Sequence, residues 1–284
     1  MEPNGWREWT AADAAEWIVE PGPDDDKYAR GVLGVITGSL DYPGAAVLGV
    51  EAASRAGVGM VRYIGPRRVA AAVLLRRPET VRVAGRVQAW LLGSGMDATR
   101  RSFVLAGELQ HALASGVPIV LDAGALDLVG SHTGPTIVTP HARELANLLA
   151  SRDLRSSVEE VRADPAGWAV RAARELGTAV LLKGAVTRIC DPEGSRFTVT
   201  AATHRLATAG TGDVLGGILG ALVATNHARF AHDRSALAKI AASAAWVHAE
   251  AGRRASEAVD GGPVTAMDVA GAVPAVVGGL ARRH

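Results

Sequence analysis

The sequence predicts an α/β fold, a sandwich of helices around a mostly parallel central sheet. Short apolar runs of strand character alternate with alanine-rich helical stretches along the chain, as successive βαβ units do. Those runs repeatedly end in Gly, Asp, Thr or Lys, and sheets of this kind place ligands beyond the carboxyl ends of their strands. Three closely spaced strand-like runs between residues 180 and 200 add a partly antiparallel edge.

The first 26 residues are expected to form a loosely packed lead to a single domain over 1–284, with Asp24-Asp25-Asp26 solvated. Val32–Thr37 reads as a strand ending in Gly38-Ser39. A helix follows over Pro43–Gly57, Pro43 suiting its first turn and Gly57 its stop. Val58–Ile64 is a second strand and Arg67–Arg76 a second helix. Val87–Leu92 ends in Gly93-Ser94-Gly95, and Arg101–Ser115 has helical composition. Pro118–Leu121 is a buried strand ending at Asp122, and Thr136–Val138 a short one before Pro140 and a helix over His141–Leu149. One or two helices fill Arg152–Gly177, with Asp164-Pro165 as punctuation. The three strands of the mixed edge are Val180–Leu182, Thr187–Cys190 and Phe197–Thr200. Helices close the chain from Asp213, over Ser235–Ala255 and over Ala266–Leu280.

Composition narrows the function classes. A net charge of +1, scattered Arg residues and 4% aromatics exclude a nucleic-acid footprint. Cys190 is the one cysteine, which rules out an internal disulfide framework and fits a reducing compartment. The Met1–Trp9 segment carries acids and lacks the apolar core of a secretory signal. No apolar run approaches the ~20 residues of a membrane helix. The expectation is a cytoplasmic protein that meets neither nucleic acid nor membrane.

The chemistry-bearing segment is Ala209-Gly210-Thr211-Gly212-Asp213, which leads into the apolar stretch Val214–Val223. Backbone N–H groups at a helix start lack intrahelical partners and carry the positive end of the dipole, so Gly210, Thr211 and Gly212 form a candidate anion hole. A carboxylate beside such a hole would repel a phosphate. Asp213 therefore reads either as a base for an acceptor hydroxyl or as a helix cap. Asp122 likewise reads as an N-cap for Ala123–Val129 or as a ligand group. His141 and Glu144 share one face of a first turn and read as capping or as function. Lys183-Gly184 stands out because the only other lysines are Lys27 and Lys239. Gly93-Ser94-Gly95 reads as close backbone approach or as a ligand loop. His248 and Trp246 read as packing. No HExxH, GxSxG or Walker-type motif is present.

Six segments then follow in order: Gly-Ser-Leu-Asp-Tyr-Pro-Gly-Ala-Ala (38–46), Leu-Gly-Ser-Gly-Met (92–96), Leu-Asp-Ala-Gly-Ala-Leu (121–126), Thr-Pro-His-Ala-Arg-Glu (139–144), Leu-Lys-Gly-Ala-Val-Thr (182–187) and Ala-Gly-Thr-Gly-Asp-Val-Leu (209–215). This ordered set resembles the ADP-dependent NAD(P)H-hydrate dehydratases of the ribokinase-like superfamily, from about Lys27 to the C-terminal helix. The resemblance implies a three-layer α/β/α sandwich. It also implies a lyase that repairs the S epimer of hydrated NADH or NADPH. In that reaction ADP phosphorylates the ring hydroxyl and phosphate then leaves, yielding NAD(P)H, AMP and phosphate. Carried over by position, Ala45, Gly95, His141 and Asp213 would bind the hydrate. Lys183, Gly184, Ala185, Val186, Thr187 and Gly212 would bind ADP, Asp213 would be the base, and Glu144 would help hold Mg²⁺ through water. A homo-oligomer, with a tetramer as one form, and a separate upstream epimerase are implied as well.

The chain departs from the family pattern at Gly124, Arg143, His204 and Ala209, where Asp, Gly, an Asn-containing segment and Gly are usual. Arg143 adds bulk and charge at the mouth. Two other readings stand beside the resemblance: an ATP-dependent ribokinase-like kinase for a vitamin precursor such as hydroxyethylthiazole, and a nucleotide-sensing protein without turnover.

Overall fold

In the computed structural model, which describes residues 5–231, 233 and 235–283, nine strands form one sheet. They are β1 (Arg7–Glu8), β2 (Val32–Ile36), β3 (Met60–Tyr63), β4 (Ala89–Leu92), β5 (Ile119–Leu121), β6 (Thr136–Val138), β7 (Ala179–Leu182), β8 (Val186–Cys190) and β9 (Arg196–Thr200). Their spatial order is β1-β9-β8-β7-β6-β5-β4-β2-β3. All neighbours are parallel except β7–β8 and β8–β9, where Val180 pairs Cys190 and Val186 pairs Thr200. The mixed edge expected near residues 180–200 is this antiparallel pair of ladders.

Helices cover both faces. On one lie α1 (Ala11–Ala15), α2 (Pro43–Arg55), α3 (Arg67–Arg76), α8 (Thr211–Thr225), α9 (Ala236–Glu257) and α10 (Ala266–Ala281); on the other lie α4 (Phe103–Leu113), α5 (Ala142–Ala150), α6 (Val158–Ala163) and α7 (Pro165–Leu176). The period of two in a strand assigns each residue to a layer. Leu33 and Val35 join the first core while Val32 and Ile36 join the second; Leu91 and Trp90 divide in the same way. A strand buried on both faces reads as a continuous apolar run, and β2 does.

Helix α8 is buried along nearly its whole length, so it needs close neighbours rather than an amphipathic stripe. Gly217 makes this possible: a Cβ there would stand 2.2 Å from the Gly49 carbonyl oxygen of α2. That contact fixes the height at which the start of α8 meets the strand ends. Nearby, Glu51 of α2 is fully buried yet charged, held by Arg55 at 2.6 Å, Arg76 at 2.9 Å and Arg77 at 2.5 Å.

The N-terminal lead differs from the expectation of loose packing. Trp6, Trp9 and Trp17 are buried, the Trp9 indole N–H donates to Ser243 Oγ at 3.1 Å, and β1 extends the sheet alongside β9. Three tryptophans carry more apolar area than the sheet edge would otherwise cover. Residues 19–29 are exposed, Asp24 to Asp26 among them; residues 1–4 of the Met1–Trp9 segment lie outside the described residues. No helix among the described residues is long and apolar enough to cross a membrane.

Candidate active site

The strand ends converge as the sequence predicts. Gly38 follows β2, Gly93–Gly95 follow β4, Asp122 follows β5, His141 follows β6 and Lys183 follows β7. Gly38 N–H donates to the Ser94 carbonyl at 2.6 Å. Gly95, at φ +69°, presses so close to α2 that a Cβ would lie 2.5 Å from Ala45 Cβ. Ala45 and Gly95 are thus neighbours across one cleft. Lys183 N–H donates to the Pro140 carbonyl at 2.8 Å, which places the Lys183 turn beside His141.

Asp122 holds the N-cap position of the turn Ala123–Leu128 with its carboxylate directed elsewhere. It makes no side-chain cap bond; its carboxylate is buried and fully engaged. Oδ1 accepts from Lys183 Nζ at 2.9 Å and Thr139 Oγ1 at 2.8 Å, and Oδ2 accepts from Ser94 Oγ at 2.8 Å. Burial opposes its charge, but the Lys183 cation and these donors hold its pKa below the ordinary carboxylate value. Its work is to anchor Lys183. Burial would lower the Lys183 pKa, but Asp122, Glu144 and Asp213 around it raise it, so the ammonium stays charged.

Asp213 lies in the first turn of α8, whose N-cap is Gly210 at φ +89° with no side-chain cap bond. Only glycine adopts that left-handed conformation freely, and a Cβ there would also strike Leu48. The Asp213 carboxylate takes a hydrogen bond from Ser94. Burial pushes its pKa up, repulsion from Asp122 adds to this, and Lys183 and Ser94 offset only part, leaving it at about 6.

Within the candidate anion hole, Thr211 makes contacts of its own. Thr211 N–H points at the Thr208 carbonyl at 3.3 Å and its hydroxyl donates to Leu206 and Thr208 carbonyls at 2.8 and 2.9 Å. Gly212 and Asp213 N–H groups face no backbone acceptor outside the helix among the described residues. A Cβ on Gly212 would lie 3.8 Å from Lys183 Nζ, so dipole end and ammonium meet at one point.

His141 and Glu144 form a reciprocal capping box. Glu144 N–H donates to His141 Nδ1 at 3.2 Å, and His141 N–H donates to Glu144 Oε2 at 2.7 Å. A ring whose Nδ1 accepts carries its proton on Nε2 when neutral, and that half-exposed nitrogen can donate to a ligand. Glu144 also stands 3.7 Å from Lys183 Nζ. Among the described residues no three His, Cys, Asp or Glu side chains converge on a metal position.

A cavity of about 530 Å³ opens from Lys183 and Gly212. Gly184, Ala185 and Thr187 line one wall, while Leu206, Leu215 and Ala249 make it apolar farther in. Of the turn residues expected to bind a nucleotide, Val186 does not line this cavity and lines only a second one. His248, read as packing, also lines the first cavity; burial lowers its pKa to about 4, and the Thr211 backbone beside it offsets only part of that. Its place in a long helix gave no sequence signal, since the face it shows depends on how α9 packs against α8.

A family model described as NAD(P)H-hydrate dehydratase matches residues 33–272. The bifunctional NAD(P)H-hydrate repair enzyme Nnr of Mycobacterium tuberculosis is 43% identical over 75% of this chain, which spans only 44% of that relative. The ADP-dependent (S)-NAD(P)H-hydrate dehydratase of Xanthomonas campestris is 30% identical over 92% of this chain and 93% of its own. The ADP/ATP-dependent NAD(P)H-hydrate dehydratase of Bacillus subtilis, co-crystallized with ATP/Mg²⁺, superimposes with a TM-score of 0.83 at 24% identity, covering 98% of this chain and 100% of its own. Its likeness is one of fold.

Proposed function

The chain belongs to the NAD(P)H-hydrate dehydratase family, and from that premise we propose that it removes the added water from the S epimer of hydrated NADH or NADPH at the expense of ADP. The observation that carries this is the place of Asp213. A carboxylate with a pKa of about 6 stands beside Lys183 and Ser94, one residue from Gly212, which lines the 530 Å³ cavity with Lys183.

ADP enters the 530 Å³ cavity with its purine in the apolar end and its terminal phosphate at Gly212 and Lys183. The ring hydroxyl at C6 lies against Asp213, which takes its proton as the oxygen attacks that phosphorus and AMP departs. The Gly212 and Asp213 N–H groups and Lys183 stabilise the charge of the moving group. Phosphate then leaves C6, driven by the ring nitrogen lone pair, and loss of a proton from C5 restores the double bond. His141 Nε2 orients the hydrate. A fixed base and a fixed hole serve one face of the ring, so the R epimer requires a separate epimerising activity.

The donor set fits a Mg²⁺ carried mainly by nucleotide phosphates and water, to which Glu144 would add one oxygen through water; the ion would neutralise phosphate charge. Phe103 and Val104, 94% and 72% exposed, support a homo-oligomer whose copies cover them. The presence of one cysteine, the buried Cys190, supports a cytoplasmic setting.

The test mixes the protein with chemically hydrated NADH, ADP and Mg²⁺ and follows the reduced-nicotinamide absorbance. Recovery limited to the S epimer is expected. Stable phosphorylated product without recovery would mean a kinase instead.

A further inference from the structure

The second cavity, of about 720 Å³, shares His141, Lys183, Gly184 and Ala185 with the first but opens on the other side of that turn. Arg143, Arg162, Arg188 and Lys183 line it, and no acid does among the described residues. Lys183 is committed to Asp122, and Arg188 also lies over the Trp6 ring at 5.2 Å. Arg143 and Arg162 are different. Both are exposed, and neither makes a hydrogen bond or ion pair to a described residue.

The placement of Arg143 runs against local electrostatics. Arg143 stands in the first turn of α5, where the helix dipole disfavours a cation. The adjacent acid, Glu144, is turned back onto the His141 N–H. Placing Arg143 and Arg162 beside the Lys183 ammonium, with no acid in the lining among the described residues, costs repulsion in a chain whose net charge is only +1. An anionic ligand would relieve that cost, and planar guanidinium groups match phosphate best.

We propose that this cavity is the subsite for the phosphate-bearing, non-reacting end of the hydrated dinucleotide, with Arg143 and Arg162 as its specificity-determining residues. This rests on the dehydratase reading, because the occupant is that reaction's substrate. His141 forms the wall common to both cavities, so a nicotinamide held at His141 and Asp213 directs the rest of the molecule over that turn. The phosphate contacted is either the pyrophosphate, present in both hydrates, or the 2′-phosphate, present only in the NADPH form.

The experiment compares the parent with the double variant Arg143→Ala/Arg162→Ala, using NADH hydrate and NADPH hydrate at saturating ADP. Loss of charged phosphate contacts should raise KM by about tenfold or more, with kcat and the KM for ADP little changed. A rise for both hydrates assigns the pyrophosphate; a rise for NADPH hydrate alone assigns the 2′-phosphate. Unchanged KM for both overturns the proposal. Calorimetric titration with ADP-ribose and 2′-phospho-ADP-ribose, after saturation with ADP, reads the subsite without turnover. If the parent turns over neither hydrate but the variant loses fragment binding, the dehydratase reading fails and the phosphate subsite stands. Equal fragment binding by parent and variant removes the subsite, whatever the activity.

Discussion

Asp122 raises the pKa of Asp213 while staying charged itself beneath Lys183. Two carboxylates at one mouth are thus driven to opposite ends of their range, the signature of divided roles. One is locked by three donors as an anchor. The other is left with proton affinity near working pH, as a base needs.

The pH dependence of turnover follows from this pair. The Asp213 carboxyl must be ionised to accept a proton, so kcat/KM should fall on the acid side with a midpoint near pH 6. In Asp122→Asn a repelling charge is gone and Lys183 loses its nearest partner. Both changes lower the Asp213 pKa, and the acid limb should move to lower pH. Matching pH profiles of parent and variant would refute the coupling.

Asp213→Asn should cost about 10²–10⁴ in rate and leave ADP affinity intact. Stability supplies a second readout. The folded carboxyl has a pKa of about 6 against 3.8 for its model value, so the folded state binds the extra proton between those values. Parent stability should therefore decline as pH rises from about 4 to 6, and the Asn variant should lack that decline. Thermal unfolding across this range checks it; a variant less stable than the parent at neutral pH would restore the capping reading.

Glu51 gives the opposite sign. Burial opposes its charge, yet hydrogen bonds from Arg77, Arg55 and Arg76 lower its pKa from 4.5 to about 2. That stabilisation is complete above the unfolded value and is lost as pH falls from about 4.5 toward 2. Glu51→Gln leaves three guanidinium groups without their counter-ion at the α2–α3 contact and should cost about 2 kcal/mol or more at neutral pH. Urea unfolding at pH 7 and pH 3 measures it, with a smaller difference at the lower pH.

Much of this was legible where a signal is local. Arg67–Arg76 and Thr136–Val138 form as read, because composition and turn residues bound them without help from tertiary contacts. Gly210 and Lys183 declared themselves by residue type at strand and helix ends. What depends on distant partners was not legible. Strand β1 has two residues and exists because β9 offers an edge. Asp122 takes its role from Ser94, Thr139 and Lys183, at separations of 28, 17 and 61 positions. Thr211 turns its N–H and its hydroxyl to carbonyls of the loop before it.

The Lys183–Asp122 pair permits a test that separates anchoring from phosphate binding. Lys183→Met leaves a carboxylate that is only 3% exposed without its cation, and an uncompensated buried charge costs roughly 3 kcal/mol or more. It also removes the ammonium 3.8 Å from the Gly212 Cβ position, so ADP affinity should fall. Adding Asp122→Asn cancels the stranded charge and retains hydrogen-bonding capacity toward Ser94 and Thr139. The double variant should recover much of the lost stability, giving a coupling energy well outside the error of additivity. It should not recover ADP binding, because no cation returns to the start of α8. Unfolding and ADP titration on the parent, both single variants and the double variant close the cycle. Recovery of ADP affinity in the double variant would show that Lys183 serves the fold alone, and that the α8 N–H groups hold the phosphate without it.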